Sequence, residues 1–351
     1  MNFRYRIAAM TGGAALVALA GACSPDLNVT NPNAPDVSRA VSSPGDVRNL
    51  IGSSYNTVYY SMQGGGAEPV PGIALGSMGD NITMAYGNFG SRFNGQEPRL
   101  AYNNSSSAGD GTVASRPYDL VYGALGSAND GLKAIKNGVK VAVSATAADE
   151  TPQMQAFAYL VQGMALSWEG LVYDRGFIQD EATTGTPALS SYKDVQAAAL
   201  TKFDKAIAAA AGKTWQVSTE FTPGMVLTAD RLGRMANTLA ARTMVLGART
   251  AAENTATNWT KVLAYADKGI STGSTAFSLQ IEGDGGTKWY DHMKYYVNSE
   301  SWVRVDQRVI QLMDPTQPVV YTSTTPPPDR AKAVICLIRE TADSSSAITA
   351  E

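Results

Sequence analysis

The run Arg116-Pro117-Tyr118-Asp119-Leu120-Val121-Tyr122, continued to Asn137-Gly138 and resumed from Thr151 to Asp174, decides the fold. Tyr118, Val121, Tyr122, Leu125, Ala128, Leu132 and Ile135 recur at spacings of three and four, which lines them along one face of a helix. Asn137-Gly138 supplies a C-terminal stop. Thr151-Pro152 then reads as an N-cap followed by proline at the first helical position, where its missing N–H costs nothing. A second stripe follows in Met154, Phe157, Ala158, Val161, Met164, Ala165, Trp168 and Leu171. Ala128, Ala158, Gly163 and Ala165 interleave with the large residues, so two helical backbones can approach closely.

Such an α-hairpin is of the tetratricopeptide kind, and it recurs. Ser191 with Asp194 three residues on is a capping box. It opens a helix whose inward residues are Tyr192, Val195, Ala199, Phe203, Ala206 and Ile207, with Gly212 as its stop. The partner runs from Thr228 to about Ala251, with Leu232, Met235, Ala236, Leu239, Ala240, Thr243 and Leu246 as its stripe. Trp259, Val262, Leu263, Ala266 and Ile270 begin a further helix closed near Gly273. Helical pairs of this kind bury their apolar faces only when stacked on one another. The expected class is therefore mainly α: helical-hairpin repeats in an α-α superhelix, with long irregular loops and little β. Short strands are expected only near Val303 to Val309 and Pro318 to Thr322. The aromatics within the stripes, Tyr118, Phe157, Trp168, Phe203 and Trp259, are expected in the core.

The N-terminus reads as an export signal. Arg4 and Arg6 precede an apolar stretch from Ile7 to Ala20 that is too short to span a bilayer as a mature helix. Ala20-Gly21-Ala22-Cys23 resembles a bacterial lipobox, with its usual leucine one place early at Leu19. Residues 1–22 are then a lipoprotein signal peptide, Cys23 the lipid attachment site and residues 23–42 a tether. The alternative is an ordinary cleavage site with an incidental cysteine. Ser43-Pro44-Gly45-Asp46 caps a helix running to about Met62. Cys336 is the second cysteine of two, and lipidation of Cys23 leaves it alone.

Charge and composition narrow the chemistry. With 28 basic and 31 acidic residues and no run of like charge, the chain lacks the basic face that nucleic acid requires. A single histidine, His292, excludes a histidine-based metal cluster and leaves any catalytic triad resting on that one residue. No phosphate-cradling glycine loop or nucleophile elbow is present, and no cofactor motif is recognised. Carboxylate pairs such as Glu169 with Asp174 can be assembled for glycoside hydrolysis, but Glu169 is expected on the helix surface near its end.

Two stretches outside the helices carry isolated aromatics among Gly, Asn and Ser: residues 80–112 with Tyr86, Phe89, Phe93 and Tyr102, and residues 283–302 with Trp289, Tyr290, Tyr295 and Tyr296. Loops this long inside a compact domain are usually functional or disordered, and the isolated aromatics favour the first.

In order along the chain, several pieces resemble the SusD/RagB family of surface lipoproteins, which bacteria pair with SusC-type TonB-dependent transporters. They are Cys23; Asn31-Pro32-Asn33-Ala34-Pro35; a helix with Asp46, Leu50, Ile51 and Tyr55; Tyr118 to Tyr122 with Ala128-Asn129; Gln155 to Tyr159; Ala240-Ala241-Arg242; and Trp259 with Val262, Ala266 and Gly269. The match runs from about Cys23 to about Gln317, so residues 43–317 form the SusD-like helical domain. Residues 318–351 are a Pro-rich, atypical tail, reading as a truncated or divergent C-terminal part.

The resemblance implies a non-catalytic protein held at the outer-membrane cell surface by its N-terminal lipid alone. It would bind a polysaccharide, oligosaccharide or peptide and pass it to a SusC-like TonB-dependent transporter. It also implies a ligand face on the loop side. Sugar rings pack on aromatic rings while Asn, Asp and Arg bond their hydroxyls, and the residues so singled out are Asp80, Asn81, Tyr86, Phe89, Trp289, Tyr290 and Tyr296. The alternative for each ring is that it pins a long loop to the scaffold. Two other functions compete: a helical-repeat lipoprotein acting as a protein–protein assembly scaffold, and a glycoside hydrolase.

Overall fold

In a computed structural model of the 351-residue chain, the residues described are 41–63, 71–84, 103, 105, 107–108, 111–272, 277–279, 289 and 303–319. The chain divides into two units, Met1–Arg39 and Ala40–Glu351, and every described residue lies in the second. Cys23, the signal peptide, most of the tether and residues 320–351 fall outside the described residues.

The described helices are α1 (Pro44–Gln63), α2 (Pro71–Met78), α3 (Thr112–Lys136), α4 (Thr151–Val172), α5 (Tyr192–Ala210), α6 (Ala229–Leu246), α7 (Ala251–Ala256), α8 (Trp259–Ala266) and α9 (Gln307–Met313). Four short strands accompany them: β1 (Ile82–Met84), β2 (Arg175–Phe177), β3 (Leu189–Ser191) and β4 (Val303–Val305). The mainly helical class expected from the sequence is the one observed.

Helix α4 is the centre. It packs on α1 and α3 on one side and on α5 and α6 on the other, and 14 of its 22 residues are buried, as befits a helix covered nearly all round. Phe157 and Phe203 are fully buried, each worth about 1.5–3 kcal/mol of hydrophobic stabilisation. The small residues do what their spacing suggests. A Cβ on Gly163 would stand 2.5 Å from the Phe203 ring, and one on Gly131 2.3 Å from Ile51 Cγ1. Helices α5 and α6 thus approach and stack on α4, and α8 packs on α6.

The caps largely follow the sequence. The Ser43, Ser191 and Thr228 side chains accept hydrogen bonds from the N–H groups of Asp46, Asp194 and Arg231, satisfying first-turn donors that have no partner inside the helix. Helix α3 winds down through Asn137 into Gly138, which takes φ 95°. Helix α4 departs by one residue: its N-cap is Glu150. The Thr151 hydroxyl instead accepts from Val141 N at 2.8 Å, tying the connection between α3 and α4 to the helix start.

Four further expectations are corrected. Helix α3 starts at Thr112 rather than near Arg116 and carries Pro117 inside it. Helix α6 stops at Leu246, which is 53% exposed. Helix α8 turns Val262 and Tyr265 inward while Trp259 and Leu263 stay out, at 44% and 61% exposure. The Tyr265 hydroxyl donates to Asp204 Oδ1 on α5 at 2.7 Å, and that bond sets the rotation of the helix. Lastly, the strand near residue 303 ends at Val305, and Gln307–Met313 is helical because Asp306 caps it.

Candidate ligand-binding face

Helix α2 ends in a wrap in which Asn81 N donates to Gly76 O at 2.9 Å and Gly79 N to Leu75 O at 2.9 Å. The left-handed position of that wrap, usually glycine, is Asp80 with φ 55°. Aspartate tolerates this conformation better than most residues, and here its carboxylate pairs with Arg308 of α9. Asn81 O accepts from Asp306 N at 3.0 Å. From that point β1 and β4 pair antiparallel in the register Ile82↔Val305, Thr83↔Arg304, Met84↔Val303.

The register matters for what leaves the sheet. Met84 is the last residue of β1 and Val303 the first of β4, and opposed residues of an antiparallel pair stand about 4.5–5.5 Å apart between Cα atoms. Met84 and Val303, the described residues at which the sequence continues into the stretch after β1 and the stretch before β4, are therefore neighbours. Those two stretches are the aromatic-bearing segments of the sequence. Of the candidate contact residues, Asp80, Asn81 and Trp289 are described; Tyr86, Phe89, Tyr290 and Tyr296 lie outside the described residues, as does His292.

Trp289 is 6% exposed. Its ring centroid lies 5.3 Å from that of Tyr59 and 5.6 Å from that of Tyr55, and Tyr55 in turn lies 5.4 Å from Phe157 of α4. Burial pushes the Tyr55 hydroxyl well above the usual phenol range. The indole thus ends a row of aromatics that reaches from the centre of the stack.

The carboxylates weighed for hydrolysis do not form a pair. Glu169, expected on the surface, is 1% exposed, because Tyr118 and Tyr122 of α3 and the β2–β3 hairpin cover the end of α4. Asp174 is instead held in solvent by Arg249, Nη1 to Oδ1 at 2.6 Å. Among the described residues no group of three or more His, Cys, Asp or Glu side chains is placed to hold a metal ion, and no helix is long and apolar enough to cross a membrane.

Elsewhere on the stack, a polar network that the sequence did not suggest ties the segment after β2 to the helices. Gln162 Nε2 donates to Asn129 Oδ1 at 2.6 Å and to Glu181 Oε2 at 3.1 Å. Lys202, 4% exposed, bonds Asp180 at 3.0 Å and Glu181 at 3.4 Å. Burial opposes ionisation at both carboxyls, but the Lys202 hydrogen bond holds Asp180 below its usual range, and the Gln162 hydrogen bond, with Lys202 and Lys205, holds Glu181 below its own. Gln162 and Lys202 carried no signal, since a polar residue in a helix is read as surface unless its neighbours are known. Arg308 gave none either, being 228 residues from Asp80. Tyr55 and Tyr59 did offer one: two rings four residues apart on one helix.

No family model matches the sequence, and no curated protein matches it. Among solved structures, the chain is similar to the crystal structure of a SusD/RagB family protein from Bacteroides thetaiotaomicron, with a TM-score of 0.52 over 77% of this chain at 15% sequence identity. The fold is SusD-like. The match covers 52% of the other protein, so this chain spans about half the length of that relative. At this identity the likeness lies in the backbone. In the SusD-like scaffold the β1–β4 junction rests on α2, which itself packs against α1 and α3.

Proposed function

We propose that this chain captures a nutrient ligand at the bacterial cell surface without catalysis, for delivery to a SusC-like TonB-dependent transporter. The ligand class is a neutral polysaccharide or oligosaccharide, and the anchor a lipid on Cys23. The observation that supports the reading is the Met84↔Val303 pairing on a SusD-like scaffold, since these two residues border the aromatic-bearing stretches of the sequence. The residues assigned to the face are Asp80, Asn81, Tyr86, Phe89, Tyr290 and Tyr296, with Trp289 at its inner edge. Aromatic rings set among Asn, Ser and Gly suit sugar faces and hydroxyls. A net charge of −3 favours a neutral polymer over a polyanion.

Affinity electrophoresis of the full chain in detergent, across a panel of neutral and charged polysaccharides, tests this. Retardation by a neutral polymer that weakens in Tyr86→Ala and Phe89→Ala is the expected outcome. Folded protein that no polymer retards refutes the glycan reading and leaves the peptide and assembly-scaffold alternatives.

A further inference from the structure

Asn137-Gly138 closes α3, and it is the one Asn-Gly pair among the described residues. In such a pair the glycine amide nitrogen can attack the asparagine side-chain carbonyl, because glycine has no Cβ to obstruct the approach. A bond forms between Gly138 N and Asn137 Cγ, the bond from Cγ to Nδ2 breaks, and the side-chain nitrogen leaves as ammonia with the proton of the Gly138 amide. Water then opens the five-membered succinimide at either carbonyl. The products are aspartate and isoaspartate, the second with one more methylene in the backbone. Both residues are exposed, and a Cβ built on Gly138 would meet nothing within 4 Å. Sequence and exposure together therefore describe a reactive pair.

The backbone holds the reaction off. Gly138 N, the atom that must attack, donates to Ile135 O at 2.9 Å, and Val139 N donates to Ala134 O at 3.1 Å. These are the paired bonds that close a helix through a left-handed residue, here Gly138 at φ 95°. Asn137 has ψ 7°. With ψ near zero the Gly138 nitrogen eclipses the Asn137 backbone nitrogen, whereas ring closure needs it beside Cβ. Beyond the turn the chain is tied to the start of α4: Val141 N donates to the Thr151 hydroxyl at 2.8 Å, and Val141 O accepts from Glu150 N at 2.7 Å.

We propose that Asn137 is a modification site controlled by the last turn of α3: the succinimide forms only in molecules whose turn has opened, and the product keeps the turn from closing again. The extra methylene of isoaspartate moves Gly138 N out of register with Ile135 O. Either product also sets a carboxylate at the C-terminal end of a helix, where negative charge is unfavourable, although Lys133 and Lys136 stand in that last turn. A transient opening is thereby made permanent, and the modified fraction records how often the end of α3 has come apart.

The nitrogen that must be freed also carries a hydrogen whose exchange reports the same opening. Full-length protein is incubated at mildly alkaline pH, folded and in urea, and deamidation at Asn137 is quantified by peptide mapping that separates aspartate from isoaspartate. Exchange of the Gly138 amide is followed by mass spectrometry in the folded chain. Control by the turn predicts that the folded chain deamidates more slowly than the unfolded one, by about tenfold or more, and by the same factor as the exchange protection of that amide. Thr151→Ala removes the acceptor of Val141 N, and is expected to lower the protection and speed the deamidation in equal proportion. If the variant leaves exchange unchanged, its deamidation must be unchanged too. Equal rates in folded and unfolded wild type overturn the proposal. So does a deamidation rate that fails to follow Gly138 exchange in either protein, since something other than the turn then controls the site.

Discussion

Glu169 looks onto Gly176: a Cβ on that glycine would stand 3.7 Å from Glu169 Oε2 and 2.8 Å from the Tyr122 hydroxyl. The glycine lets the β2–β3 hairpin close over the end of α4. The Tyr122 hydroxyl locks it there, accepting from Phe177 N at 2.5 Å and donating to Phe177 O at 3.1 Å. Neither carboxyl oxygen of Glu169 has a hydrogen-bond partner among the described residues.

Burial, reinforced by the charge of Asp119, pushes Glu169 up to about 9 from 4.5. The folded chain keeps this proton up to about pH 9 while the unfolded chain releases it near 4.5, so stability falls as pH rises through that window, by up to about 1.4 kcal/mol per pH unit. Glu169→Gln removes the titration. Thermal midpoints of wild type and Glu169→Gln are expected to diverge steadily in favour of the variant between pH 5 and 8.5. Parallel pH profiles contradict the buried, protonated carboxyl.

Gly163 of α4 lies against the Phe203 ring of α5. Gly163→Ala drives a methyl into the Phe203 ring and is expected to cost about 1–3 kcal/mol by overpacking, despite alanine's better helix propensity. Phe203→Leu makes room for that methyl. In a double-mutant cycle by denaturant unfolding the pair should therefore lose less than the sum of the single losses; simple additivity would show that the helices are farther apart.

Arg48 of α1 is 5% exposed and holds Glu150 at 2.6 Å, Glu220, and the face of Phe221 at 4.7 Å. One side chain thus joins the first helix, the start of α4 and the turn before α6. Arg48→Met keeps the aliphatic stem but strands Glu150, and is expected to cost about 3–5 kcal/mol. Glu150→Gln in the same chain should recover a part of this in urea unfolding, because the stranded group is then neutral.

Opposed strand residues are within disulfide reach, since about 4.4–6.8 Å between Cα atoms suffices. With Cys23 and Cys336 replaced by serine, Thr83→Cys with Arg304→Cys should oxidise to an intramolecular disulfide, read as a gel shift lost on reduction. The offset pair Ile82→Cys with Val303→Cys should not. Efficient bridging of the offset pair would mean a different register, and the shared root of the two aromatic segments would be lost with it.

Local physics was legible in the sequence and long-range placement was not. The stripes through α3, α4, α5 and α6 and the caps at Ser43 and Ser191 rest on spacing within one element, and these the sequence carries. Helix α8 was read with Trp259 inward because 259, 262, 263 and 266 lie along one face of a two-turn helix, but the packed helix is rotated so that Val262 and Tyr265 face inward, with the Tyr265 hydroxyl bonded to Asp204 on α5. Glu169 was read as surface because nothing near it in sequence announces that Tyr122 and Gly176 will close over it. The β2–β3 hairpin went unseen because strands of three residues have no period to detect. The candidate face was legible as two aromatic stretches, but their common root required a pairing across the chain.

That pairing also fixes an order of assembly. Asp80 and Arg308 meet although they are 228 positions apart in sequence, whereas α3 to α6 each pack on the next helix in the chain. Near contacts close quickly and distant ones late. The helical stack of α3 to α6 can thus form on contacts between neighbouring helices alone, and the junction of β1 with β4, which joins distant parts of the described chain, closes last.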